Sequence, residues 1–167
     1  NGRLNVVTGD NTTTLALVST DADANVGPKL VMRRDSASPA DNDVAAKIEF
    51  DADNDAGSSR TYAFIQVELE NVSDGAEDGL FDIRTLVDGS SRTRIKATGA
   101  ETIINDSGRD LDFRVESDTN THALFVQGSD GNVGIGDSAP DVALSVVTGQ
   151  SNEQFHVQSP TPGMKFI

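Results

Sequence analysis

Two short stretches of the chain carry residue types at spacings that could do chemistry. Asp51-Ala52-Asp53-Asn54-Asp55-Ala56-Gly57 sets three carboxylates at alternate positions, as calcium loops do to gather hard oxygen ligands round one ion. The glycine comes one place late for a helix-loop-helix calcium site, and Tyr62 stands where such a loop needs a bidentate Glu. What is left is a looser calcium turn at Asp51, Asp53 and Asp55, weighed against a plain solvated turn; no other metal and no cofactor are expected. Gly134-Ile135-Gly136-Asp137-Ser138-Ala139 has the spacing of a dinucleotide fingerprint. That fingerprint works only where a helix opens, because the helix N-terminus faces the pyrophosphate. Pro140 and Asp141 start no amphipathic run, so the spacing lacks its element.

Other catalytic constellations have less behind them. There are no cysteines, which excludes disulfides, zinc-thiolate sites and thiol catalysis. His122 and His156 lie in alternating patterns with no second ligand at metal spacing, and both read as surface or interface histidines. No nucleophile-elbow pattern supports a Ser/His/Asp arrangement. Paired carboxylates for glycoside cleavage are the enzymatic rival, but with 27 acids some pair always lies close, so the count decides nothing. Sugar-cleaving sites sit beside aromatic platforms, and one Tyr with no Trp is a poor supply. The expectation is a non-enzyme with no catalytic residues.

The elements that would position these residues read as strands throughout. Ile65, Val67 and Leu69 alternate with Gln66, Glu68 and Glu70; Phe81 and Ile83 alternate with Asp82 and Arg84. Thr93, Ile95 and Ala97 oppose Arg92, Arg94 and Lys96, and Leu111, Phe113 and Val115 oppose Asp112, Arg114 and Glu116. Period two over such runs means half-buried strands with one wet face. Asp74-Gly75, Asp88-Gly89, Ser107-Gly108 and Asp130-Gly131 mark turns, and Val87-Asp88-Gly89-Ser90 is a hairpin signal. Asp41–Ile48 has at most the makings of a single helical turn. The fold class expected is all-β, with short antiparallel strands and hairpins in stacked modules.

Composition fits that reading. Asp outnumbers Glu 20 to 7, and Asp serves turns because its short carboxylate bonds nearby backbone. The net charge of −14 argues against nucleic acid or an anionic membrane as partner. Arg33-Arg34 and Arg92-Thr93-Arg94-Ile95-Lys96 are the only basic clusters, expected to pair with neighbouring acids rather than bind a glycan. With hydrophobic residues at 36% and aromatics at 5%, the chain is poorly supplied to close a core alone, so burial against further copies of itself is expected. No apolar run is long enough to span a membrane.

The chain also repeats. Leu4-Asn5-Val6-Val7-Thr8-Gly9 matches Leu144-Ser145-Val146-Val147-Thr148-Gly149, five identities in six. After a length change, Gly27-Pro28-Lys29-Leu30-Val31 falls opposite Gly163-Met164-Lys165-Phe166-Ile167. Apolar positions persist while surface residues change, the way a repeated module diverges. The expected organisation is a connector at 1–36, a β module at 37–98, a hairpin segment at 99–140 and a second connector from 141 to 167. A longer parent chain repeating this module is expected.

Gly131-Asn132-Val133-Gly134-Ile135-Gly136-Asp137-Ser138-Ala139-Pro140, followed by Leu144-Ser145-Val146, resembles a segment common in tailed-phage fibre proteins. Asp137 stands where that pattern usually has Thr. Asp110–Ser117 with Ala123–Val126 is similar to the stretch preceding it in such proteins, and Ser36–Asp43 with the strand at Tyr62–Glu70 to an upstream module of marine phage fibres. The resemblance implies a homotrimeric tail or head fibre on a virion, bound to other virion proteins and meeting host glycan or protein through a distal tip. Gly134 and Gly136 flank Ile135, so backbones could approach closely there; on that resemblance Gly134, Ile135 and Gly136 are candidates for a trimer axis. The expected role is a shaft or spacer, because repeats build length. A receptor-binding or docking module is the alternative, and a polysaccharide depolymerase the more distant one.

Overall fold

A computed structural model describes residues 4–147 of the chain. His156 and most of the second repeat copy lie outside the described residues. The chain divides into two compact units, Asn1–Ser38 and Pro39–Ile167.

In the first unit no helix or strand forms among the described residues. Its turns are held by short side chains reaching two residues ahead. Asp10 Oδ1 accepts from the N–H and hydroxyl of Thr12 at 3.0 and 2.5 Å, and Asp23 Oδ1 accepts from Asn25 N–H at 2.8 Å. Such Asx turns give the backbone local partners in place of a ladder.

The second unit is all-β, and no helix occurs among the described residues. Strands β1 (Asp43–Asp53), β2 (Ser59–Asn71), β3 (Asp78–Val87), β4 (Ser90–Ala97) and β5 (Thr102–Ile104) form one antiparallel sheet in sequence order. Strands β6 (Phe113–Val115), β7 (Leu124–Val126), β8 (Val133–Ile135) and β9 (Leu144–Val146) form a second, where β8 and β9 pair in parallel. The sheets therefore span 43–104 and 113–146: β5 lies past Thr98 and β9 past Pro140.

Turn chemistry sets the register. Asp88 (φ 48°) and Gly89 (φ 72°) join β3 to β4 with Val87 opposite Ser90. Two successive left-handed residues make the tight turn whose twist matches a hairpin. The segment Asp41–Ile48 starts β1 and forms no helical turn. Asn42 takes φ 68° and donates its N–H to Leu69 O at 2.6 Å, while Asp41 Oδ1 accepts from Val72 N–H at 2.9 Å. Those bonds seat the start of β1 on the end of β2.

Candidate functional site: an open apolar sheet face

Cross-strand register sorts the side chains of the first sheet onto two faces. Ile48, Ile65, Ile83, Ile95 and Ile104 stand opposite one another in turn, one isoleucine per strand across all five strands. The next row on the same face is Ala46, Val67, Phe81, Ala97 and Thr102. On the other side of the isoleucines lies Phe50, Ala63, Thr85 and Arg92. The two central rows hold no ionisable group, in a chain of net charge −14.

The reverse face carries most of the charges of these strands, several of them paired within the chain, while Arg92 and Arg94, the latter bonded to Thr85, border the isoleucine face. Lys47 Nζ meets Glu49 Oε1 at 2.7 Å and sits 3.8 Å above the Phe64 ring. Arg84 lies 5.8 Å from the same ring and donates Nε–H to Asp82 Oδ2 at 2.5 Å. Lys96 Nζ meets Asp106 Oδ2 at 3.2 Å. At the Thr93 bulge, Ser107 Oγ accepts Thr93 N–H at 3.0 Å and Arg94 O accepts Asn105 N–H at 3.1 Å, which folds the segment after β5 against β4. These contacts pair the charges and tie down the sheet's polar face.

Burial is inverted from the usual order. Asp82, Thr93 and Leu80, all on the charged face, are buried, Asp82 to 1% exposure. On the isoleucine face Val67, Ile48, Ile95, Phe81, Ile104 and Phe50 are between 37% and 53% exposed. The sequence pattern leads one to expect Asp82 on the wet side; flanked by Gln66 and Lys96 and bonded to Arg84, it is covered instead. Each residue on one face of a sheet occupies roughly 32 Å² by strand spacing and rise. The two rows without ionisable groups thus present about 320 Å² across five strands, and covering them is worth on the order of 8 kcal/mol before any cost of association. That equals the entire stability of an ordinary domain.

The second sheet repeats the arrangement on a smaller scale. Phe113, Val126, Val133 and Leu144 align across its four strands, and Val115, Leu124, Ile135 and Val146 lie on the same face. Ile135 is 40% exposed. The opposite face holds buried Phe125, edge-on to the His122 ring at 5.1 Å.

The glycines proposed for a trimer axis act within their own chain. A Cβ on Gly134 would lie 2.3 Å from Asp137 O, and one on Gly136 2.3 Å from Val147 O. Gly136 takes φ 70°, and its N–H donates to His122 O at 3.0 Å while Ile135 O accepts Val147 N–H at 2.9 Å. Close approach is needed, as the sequence implies, but the approaching backbone belongs to the loop that returns as β9. Gly128, which the sequence reading did not single out, is as tight: its Cβ would lie 2.3 Å from Leu111 N. Asp137 completes the loop. It accepts from Ser145 Oγ at 2.5 Å and Ala139 N–H at 2.9 Å, and these bonds, the hydroxyl first, hold its carboxyl below its ordinary value.

The remaining candidates do not assemble. Asp51, Asp53 and Asp55 are exposed at the end of β1 and in the turn after it. Asn54 organises that turn, its Oδ1 accepting from Ala56 N–H at 3.1 Å and Ser58 N–H at 2.8 Å. Among the described residues no group of three or more His, Asp or Glu is disposed to hold a metal, so the calcium turn is not built. The dinucleotide-like glycines lead into strand β9 where a helix would be required. His122 Nδ1 lies 3.0 Å from Thr121 Oγ1 and meets Phe125, which makes it a packing residue. Of the basic clusters, Arg33 meets Asp35 at 3.4 Å, and Arg94 donates Nε–H to Thr85 Oγ1 at 2.5 Å.

No family model matches the chain, and no curated protein is significantly similar to it. The open apolar faces are the surface feature on which a functional reading can rest.

Proposed function

We propose that this chain is a structural shaft or spacer segment of a virion fibre, assembled as a homotrimer and non-enzymatic. The observation that carries the structural part is the pair of single-layer sheets whose apolar faces stay open in the isolated chain. A chain that buries only Leu80, Phe125 and Pro140 among its described apolar side chains has too little core to stand alone, and self-association supplies the rest. The virion part rests on the resemblance of Gly131–Pro140 and Leu144–Val146 to tailed-phage fibre segments. In this role the chain acts by length and rigidity, carrying a distal tip that meets the host surface. Light scattering on the whole chain tests it. A trimer mass with a β-type circular dichroism spectrum is expected; a stable folded monomer would sink the reading. Binding to a different virion protein with no self-association would move the chain to the docking-module alternative.

A further inference from the structure

The isoleucine face has a width and a charge pattern that narrow what can cover it. Five strands about 4.8 Å apart span about 19 Å. Three such spans closed into a triangle place each sheet roughly 5.5 Å from a central axis, about half the ~10 Å at which sheets pack face to face. Two copies facing each other would cover the same rows as a triangle does but leave the β1 and β5 edges unpaired, whereas a closed triangle brings the β1 edge of one copy beside the β5 edge of the next.

Charge points the same way. Copies carrying −14 each repel, and a contact surface without ionisable groups adds least to that repulsion. The rows centred on Ile83 and Phe81 are such a surface, whereas the reverse face has Lys47, Glu49, Arg84, Asp82 and Lys96 paired within the chain and the segment after β5 folded against it.

We infer that the isoleucine face is where copies of this chain meet, three first sheets around one axis with Ile83 of central β3 nearest to it. The inference rests on the proposed self-assembly and adds to it the face, the axis residue and the outward side. It moves the centre of assembly from the Gly134–Gly136 loop to the first sheet.

Because the chain has no cysteine, single thiols map the contact cleanly. Full-length Ile83→Cys and Glu49→Cys, the latter on the charged face, are treated with a short bis-maleimide and run on a denaturing gel. One linker can join only two thiols around a threefold axis, so Ile83→Cys is expected to give linked pairs in at most two of every three chains. Glu49→Cys is expected to stay unlinked, and Ile83→Asp to lose the trimer mass. Near-complete pairing of Ile83→Cys would overturn the threefold arrangement in favour of two facing sheets. An oligomer that links through Glu49→Cys and not Ile83→Cys, or that survives Ile83→Asp, would overturn the face assignment and leave self-assembly standing. A folded wild-type monomer, with Ile83→Cys shielded from maleimide by another part of its own chain, would overturn both.

Discussion

Two glycines with nearly the same backbone angle do different work. Gly89 and Gly136 have φ 72° and 70°, yet a Cβ at Gly89 meets only Arg60 Nη2 at 3.9 Å, whereas at Gly136 it would strike Val147 O. Gly89→Ala should therefore cost only the left-handed penalty, about 1 kcal/mol. Gly136→Ala adds an overpacking cost of roughly 1–3 kcal/mol, because the obstacle is backbone that must move with β9. Urea unfolding of the two variants checks the difference, and equal midpoints would contradict it. Asp137 gives a second residue-scale prediction. Its carboxyl is held below its ordinary value by Ser145 and Ala139, so the charged form is favoured in the folded state. A depressed folded value contributes stability above the unfolded value, and that contribution is lost as pH falls through the folded one. The thermal midpoint gap between wild type and Asp137→Ala should thus be steady near neutrality and narrow below about pH 4.

At the scale of elements, β3 is the strand on which most depends. Its odd positions put Phe81 and Ile83 on the open face, and its even positions put Leu80, Asp82 and Arg84 on the paired one. Asp82 is buried with Oδ2 bonded to Arg84 and Oδ1 without a partner. Removing Arg84 strands a buried charge, while Asp82→Asn removes the charge and keeps the shape. Arg84→Ala should destabilise by about 2–3 kcal/mol, less than for a fully buried pair because Arg84 is 37% exposed. Asp82→Asn should cost less than about 1 kcal/mol, since one orphaned carboxylate oxygen becomes an amide group. Chemical denaturation of both variants gives the comparison; a larger loss for Asp82→Asn would show that the carboxylate has a partner beyond Arg84.

For the whole molecule, no second layer packs on the isoleucine face among the described residues of the second unit. Domains ordinarily close by packing two layers round one core; here neither sheet has its apolar face covered among the described residues. The proposed assembly of copies would supply that layer without any new sequence, and would explain how a chain with no disulfide could be sturdy. Dilution should accordingly lower the unfolding midpoint, since the stability of an obligate oligomer depends on protomer concentration. A midpoint independent of concentration over a hundredfold range would count against obligate assembly.

The sequence by itself determined what depends on nearest neighbours. Alternation marked β2, β3 and β4, and Asp88-Gly89 fixed the β3–β4 hairpin, because strand pitch and turn handedness are local properties. Strand β1 was less legible, since Asp41–Ile48 alternates poorly and becomes a strand only by lying along β2. The tertiary structure decided matters that need a partner across space. Leu4-Asn5-Val6 and Leu144-Ser145-Val146 share a pattern, yet only the second is a strand, because β8 offers it an edge. The row of five isoleucines has the same origin: they lie far apart in the chain, and only the register of four strand pairs sets them in one line. Alternation tells which residues share a face within a strand, but pairing between strands decides which faces add up to a surface.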